Sequence, residues 1–208
     1  MSQRKRQTFS REDPDQRRRD MIDATLRCLA RDGYANTGVR AIAEEAGISI
    51  GLIRHYFETK SQLIAETQRH VSTELQAFSE RAVEAAGVDP RERLRAYLMA
   101  GFRPPFLDEK YITVRFMLWG VALTDPGTKT VHDESYGRYR ARLRELIAQT
   151  LPPTVGDGVL KPLAATVSAL TDGLWIDWML RPEDRDIAAS IDLCMEMVAS
   201  AGGERTDG

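Results

Sequence analysis

The sequence predicts an all-α protein, and three observations carry that expectation. Apolar residues recur at spacings of three and four along most of the 208 residues. No stretch keeps a period of two for long, as a half-buried strand would. Gly, Pro and capping residues punctuate the helical runs at their ends. The expected organisation is a polar, basic arm over residues 1–13, an N-terminal three-helix unit over 14–60, and a longer helical body over 61–208.

The arm holds Arg4, Lys5, Arg6 and Arg11 and almost no apolar residue, so it reads as disordered, with basic groups suited to phosphate. Pro14 suits the first turn of a helix running to Arg31, with Met21, Ile22, Leu26 and Leu29 on one face and Gly33 as its breaker. Thr37 is expected to cap a second helix, Val39 to Ala46, whose Val39, Ile42, Ala43 and Ala46 share a face. Gly47 ends it, because glycine tolerates a positive φ. Ser49 then caps a third helix reaching about Phe57, with Ile48 placed to staple onto Ile53. Ile53 and Phe57, four apart, point inward; Ile50, Leu52, Arg54, His55 and Tyr56 flank that contact or face out.

A long helix is expected over 61–86, with Leu63, Ile64, Val71, Leu75 and Phe78 as its stripe, before the break at Gly87 to Pro90. Further helices are expected over about 91–103, 108–124, 133–150, 158–180 and 184–200. Pro104-Pro105, Asp125-Pro126-Gly127, Pro152-Pro153 and Arg181-Pro182 read as their breaks.

Composition narrows the function classes. The net charge is −2, with 42% hydrophobic and 29% charged residues, an ordinary globular balance. The charge is unevenly placed. Residues 1–70 carry 13 Lys and Arg against 10 Asp and Glu, whereas residues 71–208 carry 16 against 21, so an anionic partner is expected at the N-terminal end. Cys28 and Cys194 are far apart and form no metal-ligand pattern, which favours a reducing compartment and no metal. There is no apolar run of membrane-spanning length and no signal-peptide core, so a cytoplasmic location is expected.

Residues 37–60 carry the functional signal. Two short helices joined by a tight turn, the second tipped with Arg54, His55 and Tyr56 and followed by Lys60, suit the major groove of DNA. Arg54 can bond a guanine edge bidentately, while Tyr56 and Lys60 suit phosphates. Gly51 lets the helix approach closely, and Thr37 is expected to offer a hydroxyl and a free backbone N–H to phosphate.

The order Gly33-Tyr34, Thr37, Val39-Arg40, Ile42-Ala43, Ala46-Gly47-Ile48-Ser49, Gly51, His55-Tyr56-Phe57, Lys60 and Leu63 resembles the N-terminal domain of TetR-family repressors, without gaps over about residues 17–65. The stretches 51–57, 115–119 (Arg-Phe-Met-Leu-Trp) and 171–175 (Thr-Asp-Gly-Leu-Trp) resemble BetI-type members. The resemblance implies a homodimeric repressor that binds a near-palindromic double-stranded operator and is released by a small-molecule inducer. It places DNA contacts on Thr37, Arg40, Ser49, Gly51, Leu52, Arg54, His55, Tyr56 and Lys60. Ile50, Leu52 and Arg54 depart from common family residues, which implies a different operator sequence.

In the body, aromatic residues gather between 97 and 180. Phe102, Phe116, Trp119, Tyr136, Tyr139, Trp175 and Trp178, with Asp172 nearby, are the candidate ligand site. Aromatic faces beside a carboxylate suit a quaternary ammonium, and the BetI resemblance implies a choline-like inducer. Aromatics at helical spacing are more often plain core, and a different hydrophobic or aromatic inducer suits them as well as a cation does. Two stripes, Leu160, Leu163, Val167, Leu170 and Leu174, then Ile187, Ile191, Met195 and Val198, are expected to bury a dimer seam, with intramolecular packing as the alternative. An enzyme is not expected. His132 has acidic neighbours only in sequence, which do not converge on a helix, and no nucleophile elbow, phosphate loop, zinc-protease signature or cofactor motif appears.

Overall fold

The structure, a computed structural model, describes residues 13–182 and 186–203. Among the described residues there are nine helices and no strand: α1 (Pro14–Asn36), α2 (Val39–Ala46), α3 (Ile50–Tyr56), α4 (Lys60–Ala85), α5 (Pro90–Ala100), α6 (Glu109–Ala122), α7 (Pro126–Thr150), α8 (Asp157–Leu180) and α9 (Ile187–Ser200). The basic arm expected over 1–13 lies, except for Asp13, outside the described residues.

Helix starts follow side-chain capping. The Asp13 carboxylate accepts the Asp15 N–H at 3.1 Å and Ser49 Oγ accepts that of Leu52 at 3.1 Å. Thr59 does the same for Gln62 at 3.0 Å, so α4 begins at Lys60 rather than Ser61. Helix α7 begins seven residues earlier than the sequence suggests. Asp125 accepts the Thr128 N–H at 2.7 Å and Pro126 occupies the first turn, so a stretch that reads as a break is a cap. The other Asp125 oxygen accepts the Ser61 hydroxyl at 2.7 Å, tying the start of α7 to the start of α4. Gly33 breaks α1 at φ 73°, and Gly47 closes α2 at φ 65°.

Three apolar clusters divide the packing. The head core joins Met21, Ile22 and Cys28 of α1 with Ile42 and Ala43 of α2, Ile53 of α3, Phe57 and Leu63. The body core joins Val83, Leu94, Leu98, Ile112, Leu143, Ile147, Val167, Ile191 and Val198. Between them, Leu29 of α1, Ile64 and Val71 of α4, and Val114, Leu118 and Val121 of α6 form a seam. Helix α4 therefore serves both cores, and the outer face of α6 touches the head.

For the apolar stripes of the last two helices, the alternative of intramolecular packing holds for the inner residues. Leu160, Val167, Ile191, Met195 and Val198 are buried within the chain and supply its own core. Leu170 of the first stripe is exposed, together with Val159, Ile176, Leu180 and Leu193, which lie outside both stripes. A helix buried on one side presents its other side to any partner, so the inner stripe says nothing of the outer one.

Candidate DNA-binding face and ligand pocket

Helix α3 is short and held from below. Ile53 and Phe57 anchor it in the head core at 1% exposure each, and Leu52 and Tyr56 rest half-buried on its edge. That leaves Ser49, Ile50, Gly51, Arg54 and His55 exposed on one side. His55 meets the edge of the Tyr56 ring at 5.6 Å between centroids. A Cβ built on Gly51 would meet only Ser49 Oγ, at 3.8 Å, so nothing within the chain demands glycine there.

The charges around this face differ in their commitments. Arg27 and Arg31 both reach Glu45 at 2.7 Å and are spent inside the head. Arg40 pairs with Glu44 at 3.2 Å, but both side chains are largely exposed, so the pair is weak and easily exchanged. Arg54 has no ion pair among the described residues. Lys60 is half-buried. Its Nζ donates to the Tyr34 carbonyl at 3.2 Å and lies 4.2 Å above the Tyr34 ring, and burial holds its pKa below the ordinary lysine value.

Thr37 does not occupy the place expected for it. Its hydroxyl donates to the Gly33 carbonyl at 2.7 Å, its N–H donates to the same oxygen at 3.1 Å, and the residue is 0% exposed. Gly38, without a side-chain bond, stands at the N-cap of α2 instead. The kink at Gly33 strands a carbonyl beside Thr37, and satisfying it takes both donors that sequence reading assigned to phosphate.

The body encloses one large pocket walled by α4, α5, α6, α7 and α8, about 730 Å³ of empty space with its open mouth included. Of the residues expected there, Trp119, Tyr136, Tyr139, Asp172 and Trp175 line it. Phe102 and Phe116 stand behind the wall, 5.0 Å from Trp175 and 5.2 Å from Trp119, and brace those rings. Trp178 lies half-buried against the body core instead of in the pocket, and Asp177 pairs with Arg181 at 3.7 Å. A neighbouring cleft between α4 and α7 shares Ser72, Gln76 and Ser135 with this pocket.

Several lining residues lay outside the candidate site expected from sequence: Gln68 and Gln76 on α4, Tyr97 on α5, Tyr111 and Arg115 on α6, and His132 on α7. A periodic signal was present. Tyr111, Arg115 and Trp119 are four apart on one face of α6, as are His132 and Tyr136 on α7, with Tyr139 three further on. His132 stacks on Tyr136 at 5.4 Å, so its ring serves the pocket wall, away from its acidic sequence neighbours.

Pocket electrostatics centre on Arg115. Its guanidinium lies 5.0 Å from the Trp119 ring centroid and 4.6 Å from that of Trp175. Tyr136 donates to the Asp172 carboxylate and lies 2.8 Å from Ser168 Oγ. Burial pushes Asp172 above the usual carboxylate range, against the pull of Tyr136, Arg115 and Arg140. Burial also raises the phenols of Tyr97, Tyr111 and Tyr139 and lowers the imidazole of His132. Among the described residues no group of His, Cys, Asp and Glu could hold a metal ion, and no helix is long and apolar enough to cross a membrane.

Comparison with known proteins places this architecture. Residues 21–67 match the family described as bacterial regulatory proteins, tetR family, and residues 90–203 match the BetI-type transcriptional repressor C-terminal family. The HTH-type transcriptional regulator BetI of Burkholderia cenocepacia is 32% identical over 182 residues, 88% of this chain and 92% of that protein. Its counterpart in Burkholderia mallei is 31% identical, over 88% of this chain and 91% of that one. A solved structure from Pseudomonas aeruginosa PAO1, described as a transcriptional regulator, superposes with a TM-score of 0.83 at 34% identity, covering 93% of each chain. One from Saccharomonospora viridis, described as a transcriptional regulator in complex with choline, has a TM-score of 0.67 at 24% identity over 89% of this chain and 95% of that one. The chain belongs to the TetR family of bacterial transcriptional regulators, with a C-terminal domain of the BetI type.

Proposed function

We propose that this chain works in the cytoplasm as a homodimeric repressor whose paired heads hold a near-palindromic operator and let go when a small molecule enters the body pocket. The observation that carries this reading is the outward side of α3. Arg54 stands exposed, and unpaired among the described residues, on a helix whose opposite side is locked into the head core by Ile53 and Phe57. Gly51, which the fold itself does not require, gives that side a close approach to a base edge or sugar. Arg40, Ser49, Leu52, His55, Tyr56 and Lys60 surround it as the remaining proposed DNA contacts. The exposed apolar side of α8 and α9, with Leu180 and Leu193 at 64% and 65% exposure, supports pairing of two chains.

The route from pocket to head runs through α6. Arg115 and Trp119 line the pocket, while Val114, Leu118 and Val121 pack in the seam with Leu29 of α1 and Ile64 and Val71 of α4. A guest that displaces the inner residues shifts a helix whose other side holds the head. The operator fixes the separation of two recognition helices at about one helical turn, ~34–36 Å, or a multiple of it. Release then follows from the guest's differential affinity for the two head separations, and is limited by it.

A quaternary ammonium is one effector class the aromatic walls suit. Arg115 opposes it, since the guanidinium already covers faces of Trp119 and Trp175. A second cation about 6 Å from that guanidinium would meet a repulsion of about 3 kcal/mol at an effective dielectric of ~20.

Gel shifts with DNA flanking the chain's own gene, at several salt concentrations, test the reading. Arg54→Ala is expected to lose about 1–3 kcal/mol of preference for operator over random DNA. Lys60→Ala is expected to weaken all sequences and lower the salt slope by about one. Equal losses on operator and random DNA for Arg54→Ala would take Arg54 off the bases, and no binding at low salt would end the repressor reading.

A further inference from the structure

The pocket holds a guanidinium with a nitrogen that no described residue bonds. Arg115 Nη1 is buried and has no hydrogen-bond partner among the described residues. Two indole rings lie 5.0 and 4.6 Å from the guanidinium carbon, but its N–H donors still need acceptors. A second lining atom shares this condition. Gln68 is 3% exposed; its Nε2 donates to Ser72 Oγ at 3.2 Å, while its Oε1 is buried and unpaired. Buried polar groups in native proteins are bonded in the great majority of cases. The orphaned Arg115 donor on α6 therefore points to an acceptor that a guest supplies, while the Gln68 oxygen on α4 is itself an acceptor and takes its donor from elsewhere than an oxyanion.

The sign of that guest follows from what surrounds Arg115. Asp172 is the one carboxylate lining the pocket among the described residues. It is engaged by Tyr136, which also contacts Ser168, and it attracts Arg115 through space without a direct ion-pair contact among the described residues. His132 also lines the pocket, stacked on Tyr136, and Arg140 lies over the Tyr136 ring at 4.5 Å. Two guanidinium groups thus face one carboxylate, and the inner guanidinium lacks an acceptor. The geometry points to a small organic carboxylate as the effector, its oxyanion paired with Arg115 and its apolar part held between the aromatic walls. This assignment rests on the reading of the pocket as the effector site and names the chemistry that site takes. An oxyanion drawn onto Arg115 pulls on α6, the helix whose outer side packs against the head.

Three probes sharing one benzene ring separate the possibilities: benzoate, the neutral benzamide, and phenyltrimethylammonium. Each is titrated calorimetrically into the full chain at constant ionic strength. Benzoate is expected to bind about tenfold or more tighter than benzamide, with phenyltrimethylammonium weakest, since a charge-assisted bond to a buried guanidinium is the stronger kind. In Arg115→Gln the benzoate advantage over benzamide is expected to vanish; the wild-type comparison of the three probes decides the matter if that variant fails to fold. Phenyltrimethylammonium binding as tightly as benzoate would overturn the carboxylate assignment while leaving the effector pocket in place. Benzoate binding unchanged in Arg115→Gln would overturn it too, as would the absence of heat from all three probes up to about 10 mM. Failure of the effector reading looks different: a probe binds, yet operator affinity in the gel shift does not change.

Discussion

Replacing Gly101 by alanine probes how tightly the pocket floor is built. Gly101 closes α5 with ordinary helical angles, φ −66° and ψ −24°, so glycine is not there for backbone freedom. It is there for space: a Cβ on Gly101 would stand 2.4 Å from Trp175 Cζ2 and 3.2 Å from Cε2. Carbon atoms in contact prefer about 3.5–4.0 Å, so the indole must retreat by about 1 Å. Trp175 is 2% exposed, with Phe102 at 5.0 Å and Arg115 at 4.6 Å, and a retreat pushes both. Overpacking of this kind costs about 1–3 kcal/mol. For a chain of this length that is a fall in Tm of roughly 2–12 °C. Thermal unfolding followed by circular dichroism measures it, and pocket binding of any guest is expected to weaken in parallel. The control is the same change in a Trp175→Leu background, where the clashing ring is absent and the added cost of Gly101→Ala is expected to fall below about 0.5 kcal/mol. An equal Tm loss in both backgrounds, or none in either, would refute the clash argument.

Thr37→Val removes a buried hydroxyl bond to Gly33 and is expected to cost about 1 kcal/mol of stability without altering the salt slope of DNA binding. A slope reduced by about one would return Thr37 to the phosphates. Leu180→Glu combined with Leu193→Glu changes side chains exposed in the single chain, so helical content is expected to hold while light scattering reports monomers; a persistent dimer would move the seam elsewhere. His132→Asn tests the buried imidazole. Burial holds its pKa below 6.5, helped by Arg115, Lys129 and Arg140 and opposed by Asp133. The native imidazole therefore binds its proton less well than the unfolded one, so its contribution to stability is intact above about pH 6.5 and lost as pH falls below that. Wild type is expected to lose more Tm than His132→Asn between about pH 7.5 and pH 5.5; parallel curves would exclude the effect.

Local chemistry made much of this protein legible without coordinates. Ile53 and Phe57 share a helical side, Ser49 caps the turn before them, and Gly47 takes a positive φ; each depends only on residues within a turn or two. Those same neighbours place Arg54 and His55 opposite the anchored side, so the head and its outward face follow from spacing alone. Tertiary packing decided the rest. Thr37 turned inward because a kink at Gly33 left a carbonyl to satisfy, and Lys60 settled on Tyr34, 26 positions away. Trp175 lines a cavity while Trp178, three residues on, packs against core, and the inner stripes of α8 and α9 fill the chain's own interior. Arg115 opens a stretch that the sequence singles out, but its place in a pocket wall was set only when five helices closed around it. Periodicity says which residues share a side of a helix; what that side meets is set by elements far along the chain, where the sequence carries no local mark.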